Sequence, residues 1–186
     1  MAATAIAGCA AKSPQALAPV APTGPAPAAG PVYEVNVPLL ARSGSAVTGT
    51  VAFRESAGTV AVTLALAGVA PGMHGFHVHE VGDCSAPDGT SAGGHFNPHG
   101  ANHGALDADA RHAGDMGNVE ADAAGNVTAE LTITGITLTP GLPHSIGGRA
   151  LILHAKPDDY VTQPTGNAGA RIGCGVIEPS LVMEVK

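Results

Sequence analysis

The chain has 186 residues, 45% of them hydrophobic, enough for one packed domain with a short appendage. Its formal net charge of −7 excludes a nucleic-acid-binding face and a polybasic membrane contact, both of which need clustered Lys and Arg. Gly at 26, Pro at 15 and aromatics at only 3% favour many turns and a core of Val, Ile, Leu and Ala over long helices.

At the N-terminus, Ile6-Ala7-Gly8-Cys9 resembles a bacterial lipobox, whose cysteine is lipidated once the signal peptide is cut. Only eight residues precede Cys9 and none is Lys or Arg, whereas a working signal needs a basic start and a longer apolar run. The lipobox reading therefore expects a longer natural start; the alternative is a tail that happens to contain a cysteine. From Ala10 to Pro31, Ala and Pro dominate, a composition that cannot bury enough apolar surface to fold. Residues 1–31 are thus expected to be a lipobox-like start and disordered tether, and residues 32–186 the folded domain.

Beyond the tether, alternating runs predict strands at 32–40, 47–55 and 59–66, the last two joined tightly at Ala57-Gly58. Further strands are predicted at 75–80, at 117–121 and 126–133 around Ala124-Gly125, at 149–154, and at 174–185 with a break at Pro179. Eight short strands with no helical period imply an all-β fold, a closed or sandwiched antiparallel sheet. Two long segments, 81–116 and 155–173, carry no strand pattern, and loops of that length in a compact domain are usually functional.

Those loops hold or adjoin nearly all of the nine histidines, an unusual number beside eight Lys plus Arg, so metal binding is the first chemistry to consider. In a strand, residues i and i+2 face the same way, so His77 and His79 project together while Phe76 and Val78 enter the core. Alone, such a pair also suits an exposed surface strand. His95, His103, His112 and Asp115 follow at spacings suited to a closed tetrahedral zinc site, a solvated His-rich loop being the alternative. His154 ends an apolar run and by itself reads as a core histidine.

Of the three cysteines, Cys9 lies in a different compositional zone, so Cys84 and Cys174 are the natural pair. A bridge there would be worth about 4–5 kcal/mol in the chain-entropy model. It would also imply an oxidising compartment; two separate buried thiols would not.

The motifs Gly75-Phe76-His77-Val78-His79-Glu80, His95-Phe96-Asn97-Pro98, His112-Ala113-Gly114-Asp115 and Gly169-Ala170-Arg171-Ile172-Gly173-Cys174-Gly175-Val176 occur in the order found in copper,zinc superoxide dismutases. The resemblance covers effectively the whole folded domain. It implies an eight-stranded antiparallel Greek-key β-barrel or sandwich with two long functional loops. Copper would fall to His77, His79, His95 and His154, and zinc to His95, His103, His112 and Asp115, with His95 bridging the two ions. Asp158 resembles the carboxylate that joins the free nitrogens of His77 and His103, and Arg171 the residue that orients the superoxide anion. His74 resembles a buried structural histidine; His99 and His144 match no ligand.

The implied activity is dismutation of superoxide by copper redox cycling, with His95 taking up and returning a proton. The segment between His154 and Arg171 looks short and the loop from Cys84 to His95 long, which resembles the bacterial branch of the family. That branch implies a periplasmic or cell-envelope enzyme, with membrane attachment through Cys9 and pairing into a homodimer as further expectations. Lys156 and Arg171 are the visible sources of a positive field for an anionic substrate. A metal store and a zinc hydrolase are the rival readings; Arg171 argues against the first and the filled zinc set against the second.

Overall fold

The structure, a computed structural model, describes Met1 and residues 32–182; Cys9 and the Ala/Pro-rich segment lie outside the described residues. Ten strands follow in chain order: β1 (Val32–Pro38), β2 (Leu40–Ala41), β3 (Thr48–Ser56), β4 (Thr59–Ala67), β5 (Gly72–His79), β6 (Asp115–Ala121), β7 (Val127–Ile133), β8 (Ala150–His154), β9 (Arg171–Val176) and β10 (Ser180–Val182). They form two five-stranded sheets, ordered β10-β1-β3-β4-β7 and β2-β9-β8-β5-β6, with every pairing antiparallel. The all-β expectation is met as a sandwich of two facing sheets. No helix among the described residues is long and apolar enough to cross a membrane.

The expected strands 32–40 and 174–185 are each shared between the two sheets. The first leaves β1 after Pro38, turns Leu39 inward and enters β2; the second leaves β9 for β10 across Pro179. Proline lacks the N–H that would continue a ladder, so each crossing falls where pairing must stop. These two divisions turn eight predicted strands into ten.

Period-2 alternation builds the core. In β4, Val60, Val62, Leu64 and Leu66 point inward and are all at most 4% exposed, while Ala61, Thr63 and Ala65 face solvent. In β5, by contrast, the last six residues are buried on both faces. Phe76 and Val78 join the apolar core, and His77 and His79 point to the outer face, which the long loops cover. Packing a strand under loops is what allows polar side chains to be buried there.

The register then sets the site. His77 pairs with Ile152 of β8 and with Asp115 of β6, next to an irregularity between Gly75 and His77. His79 bridges to His95, and His154 is the register partner of Arg171. Six chemically distinctive residues, His77, Asp115, His79, His95, His154 and Arg171, are therefore positioned by backbone pairing before any side-chain contact is considered.

Candidate metal centre

The outer face of the second sheet collects the histidines into two groups that share one residue. The ligand atoms of His77, His79, His95 and His154 lie within 4.8 Å of one another, as do those of His95, His103, His112 and Asp115. All seven residues are buried, none more than 6% exposed. The His77 and His95 ring centroids are 4.1 Å apart.

In the first group each ring is held from behind. His77 Nε2 donates to Asp158 Oδ2 at 2.7 Å, His79 Nδ1 to the Gly93 carbonyl at 2.9 Å, and His154 Nδ1 to the Gly169 carbonyl at 3.2 Å. Because an acceptor fixes the proton on one nitrogen, the lone pair of the other must point into the group. His79 Nε2 and His154 Nε2 accordingly face each other at 3.4 Å.

The second group converges on Asp115. Its Oδ1 lies 2.8 Å from His95 Nδ1, 3.0 Å from His103 Nδ1 and 3.4 Å from His112 Nδ1. Its Oδ2 is occupied by the backbone N–H groups of His112 and Gly104, at 3.0 and 3.1 Å. His103 Nε2 donates to Asp158 Oδ1 at 2.9 Å, so one carboxylate supports a ring from each group.

Three buried ring nitrogens among the described residues have no hydrogen-bond partner: His77 Nδ1, His95 Nε2 and His103 Nδ1. His103 Nδ1 makes no hydrogen bond even though Asp115 Oδ1 is close. An orphaned buried polar atom costs about 1–3 kcal/mol, and three aimed into two adjacent pockets call for a hydrogen-bond donor or a cation there. Cations meet that requirement. Imidazole suits copper and zinc alike, and three nitrogens with one carboxylate oxygen suit a closed zinc site.

The electrostatics agree. Burial pushes His79 down to about 2, His154 to about 3 and His77 to about 4, with Asp158 pulling His77 the other way. These rings are therefore neutral and competent as ligands at ordinary pH. Burial alone would raise Asp115, but the hydrogen bond from His95 and the charges of His103 and His112 hold it down at about 2. His103 is pushed down by burial, yet the bond to Asp158 and the field of Asp115 leave it raised overall.

Arg171 begins β9 beside the first group and donates to the Gly89 carbonyl at 2.7 Å and the Gly93 carbonyl at 2.6 Å. Cys84 and Cys174 are bonded as a disulfide across 90 residues, tying the loop that carries Gly89 to β9. Lys156 is exposed, its stem packed over Gly169. His74 is buried with both nitrogens against carbonyls, those of His154 and Ala70. His99 is exposed, His144 partly so, and neither belongs to either group.

Several residues that support the site carry no sequence signal. Gln163 grips the backbone of His103 reciprocally, accepting from its N–H at 2.8 Å and donating to its carbonyl at 2.9 Å. Asn118 does the same for Asp158, at 2.7 and 2.9 Å. Arg111 donates to the carbonyls of Leu106, His112, Asp115 and Thr134, stapling the loop that holds the second group. Arg42 donates to the Cys84 carbonyl through two nitrogens. Gly166 is fixed by space: a Cβ there would lie 2.0 Å from Asp158 Oδ1 and 2.6 Å from His103 Nε2.

Comparison with known proteins agrees with this geometry. Residues 47–177 match the family model described as copper/zinc superoxide dismutase. Over 135 residues the chain is 44% identical to a protein of Aquifex aeolicus (strain VF5) named superoxide dismutase [Cu-Zn] 2, covering 70% of this chain and 79% of that one.

Proposed function

The chain belongs to the copper/zinc superoxide dismutase family, and on that premise we propose that His77, His79, His95 and His154 hold copper while His95, His103, His112 and Asp115 hold zinc. The protein is an oxidoreductase, a superoxide dismutase with copper and zinc as cofactors and superoxide as substrate. The observation that carries the site assignment is that two buried donor groups meet in a single ring, that of His95.

Copper held by His77, His79, His95 and His154 would supply a one-electron couple, and zinc held by His95, His103, His112 and Asp115 a fixed positive charge, so that two superoxide anions and two protons become one dioxygen and one hydrogen peroxide. The chain's own residues do the rest. His95 Nδ1 is engaged on the Asp115 side, which leaves Nε2 as the atom that can take a proton and return it. Asp158 keeps His77 and His103 in the tautomers that present Nδ1 to the pockets. Arg171 offers a guanidinium with two N–H groups already braced on carbonyls, so its remaining donors can attract and orient the anion at little entropic cost.

The disulfide is consistent with an extracytoplasmic location. The finer reading is a periplasmic, lipid-anchored enzyme, with Cys9 acylated, residues 10–31 as tether and residues 32–186 as the catalytic domain. Ile6-Ala7-Gly8-Cys9 and the Ala/Pro-rich composition support it. Acyl chains on Cys9 in a mass spectrum of the native protein are expected; an unmodified Cys9 would end that part. Pairing into a homodimer rests on the family resemblance, and sedimentation tests it.

Metal analysis with a superoxide-consumption assay tests the assignment as a whole. One copper and one zinc per chain, with activity that depends on copper, is the expected result. Purified protein that holds zinc yet refuses copper would overturn it.

A further inference from the structure

We propose that Glu80 is a positioning residue for the dismutation, acting through the peptide unit that joins Gly93 to Gly94. This rests on the reading above that His79 is a copper ligand and Arg171 the anion guide.

The carbonyl of Gly93 and the N–H of Gly94 belong to one planar peptide group, so they turn together or not at all. The carbonyl side accepts from His79 Nδ1 at 2.9 Å and from Arg171 Nη2 at 2.6 Å. The N–H side is gripped by Glu80 Oε1 at 3.0 Å. Glu80 also donates its own backbone N–H to the Gly94 carbonyl at 2.9 Å, so the contact is reciprocal.

Without that grip the N–H side would lose the Glu80 anchor, and the peptide would be held from its carbonyl side, by His79 and Arg171. It is flanked by two glycines, and Gly93 sits at φ 73, a region with no steric penalty for glycine. A Cβ on Gly93 would lie 2.7 Å from Glu80 Oε1, so the carboxylate also packs directly on the turn. Arg149 braces Glu80 from the other side, donating to its carbonyl at 2.8 Å while its guanidinium lies 3.6 Å from the centre of the Phe96 ring. Glu80 therefore sets the angle of the one carbonyl on which both the His79 ring and the Arg171 guanidinium depend.

The test uses the copper- and zinc-loaded protein with Glu80→Gln, Glu80→Asp and Glu80→Ala, read by azide titration and by the Cu(II) electron paramagnetic resonance spectrum. Gln keeps an acceptor oxygen at the same reach and should match the wild type. Asp keeps the charge but is one methylene shorter; it and Ala should weaken azide binding by roughly three- to tenfold, the range of one lost hydrogen bond, and alter the copper hyperfine splitting. Wild-type azide affinity and spectrum in Glu80→Ala would overturn the proposal. So would damage in Glu80→Gln with none in Glu80→Asp, which would assign the role to charge; this contrast stands even if the Ala variant fails to fold. Failure of the site assignment itself shows elsewhere, as absence of an azide-responsive Cu(II) signal in the wild type.

Discussion

His79 and Arg171 donate to the same oxygen, the carbonyl of Gly93, at 2.9 and 2.6 Å. Arg171 is also the register partner of His154 across β8 and β9. The guanidinium is thus fixed to the backbone around His79 and His154, two of the proposed copper ligands. Replacing it should leave the metal donors in place and remove the anion guide. Arg171→Ile is expected to keep copper and lose about tenfold or more in kcat/KM, with a weaker salt dependence. Full activity in that variant would remove the role.

Asp88 opposes the proposed guide. It is exposed, adjoins Gly89 in sequence, and its negative charge raises the Arg171 guanidinium pKa against the lowering caused by burial. Asp88→Asn should raise kcat/KM roughly twofold at low ionic strength and leave it unchanged at high salt, where charges beyond a Debye length are screened. A rate that falls, or that rises equally at all salt concentrations, would contradict this.

Asp158 supports a ring from each group, through Oδ2 to His77 and Oδ1 to His103. Asp158→Asn can accept from only one of them through its single carbonyl oxygen. Zinc affinity, measured by chelator competition, should fall by about 10–100-fold, with a smaller loss for copper. Unchanged affinity for both ions would mean that the loops alone orient the rings.

Acid should destabilise the metal-free protein. His77, His154 and His79 sit at about 4, 3 and 2 when folded, chiefly through burial, against 6.5 when exposed. Below 6.5 the unfolded chain binds protons on these rings that the folded chain refuses, so their stability contribution, complete above 6.5, is lost as pH falls towards 4 and lower. Burial lowers His112 as well, while His103, raised in the fold, works in the opposite sense, one ring against four. Each ring contributes at most about 1.4 kcal/mol per pH unit. The melting temperature of metal-free protein should therefore drop steeply from pH 6.5 to 4; a flat or rising profile would contradict the burial argument.

Most of the sheet structure and the pairing of His77 with His79 on one face were legible in the sequence, because both are local; His154 by itself reads as a core histidine, and only the family resemblance set it beside them. Alternation in β4 gives its inward face directly, and His77 and His79 are two residues apart. The expectation that Cys84 and Cys174 pair is met by the disulfide. The crossings at Pro38 and Pro179 were not legible, since which sheet a strand joins is decided by distant partners. Gln163, Asn118, Arg42 and Arg111 were missed for a related reason: each works on backbone groups, and the first three do so across 60, 40 and 42 residues. A backbone carbonyl leaves no mark in the sequence.

The disulfide joins the loop bearing Gly89, an acceptor for Arg171, to β9. Cys84→Ser with Cys174→Ser should cost about 2–5 kcal/mol in denaturant unfolding. Weaker azide binding with copper retained should accompany it; a stable variant of wild-type azide affinity would show that the hydrogen bonds from Arg42 and Arg171 hold the loop without it.

His95 belongs to both donor groups, and the Cu(II) spectrum before and after selective zinc removal tests that sharing most directly. A shared His95 predicts that the copper spectrum changes when zinc leaves and is restored when it returns. A copper spectrum indifferent to zinc would contradict the bridge.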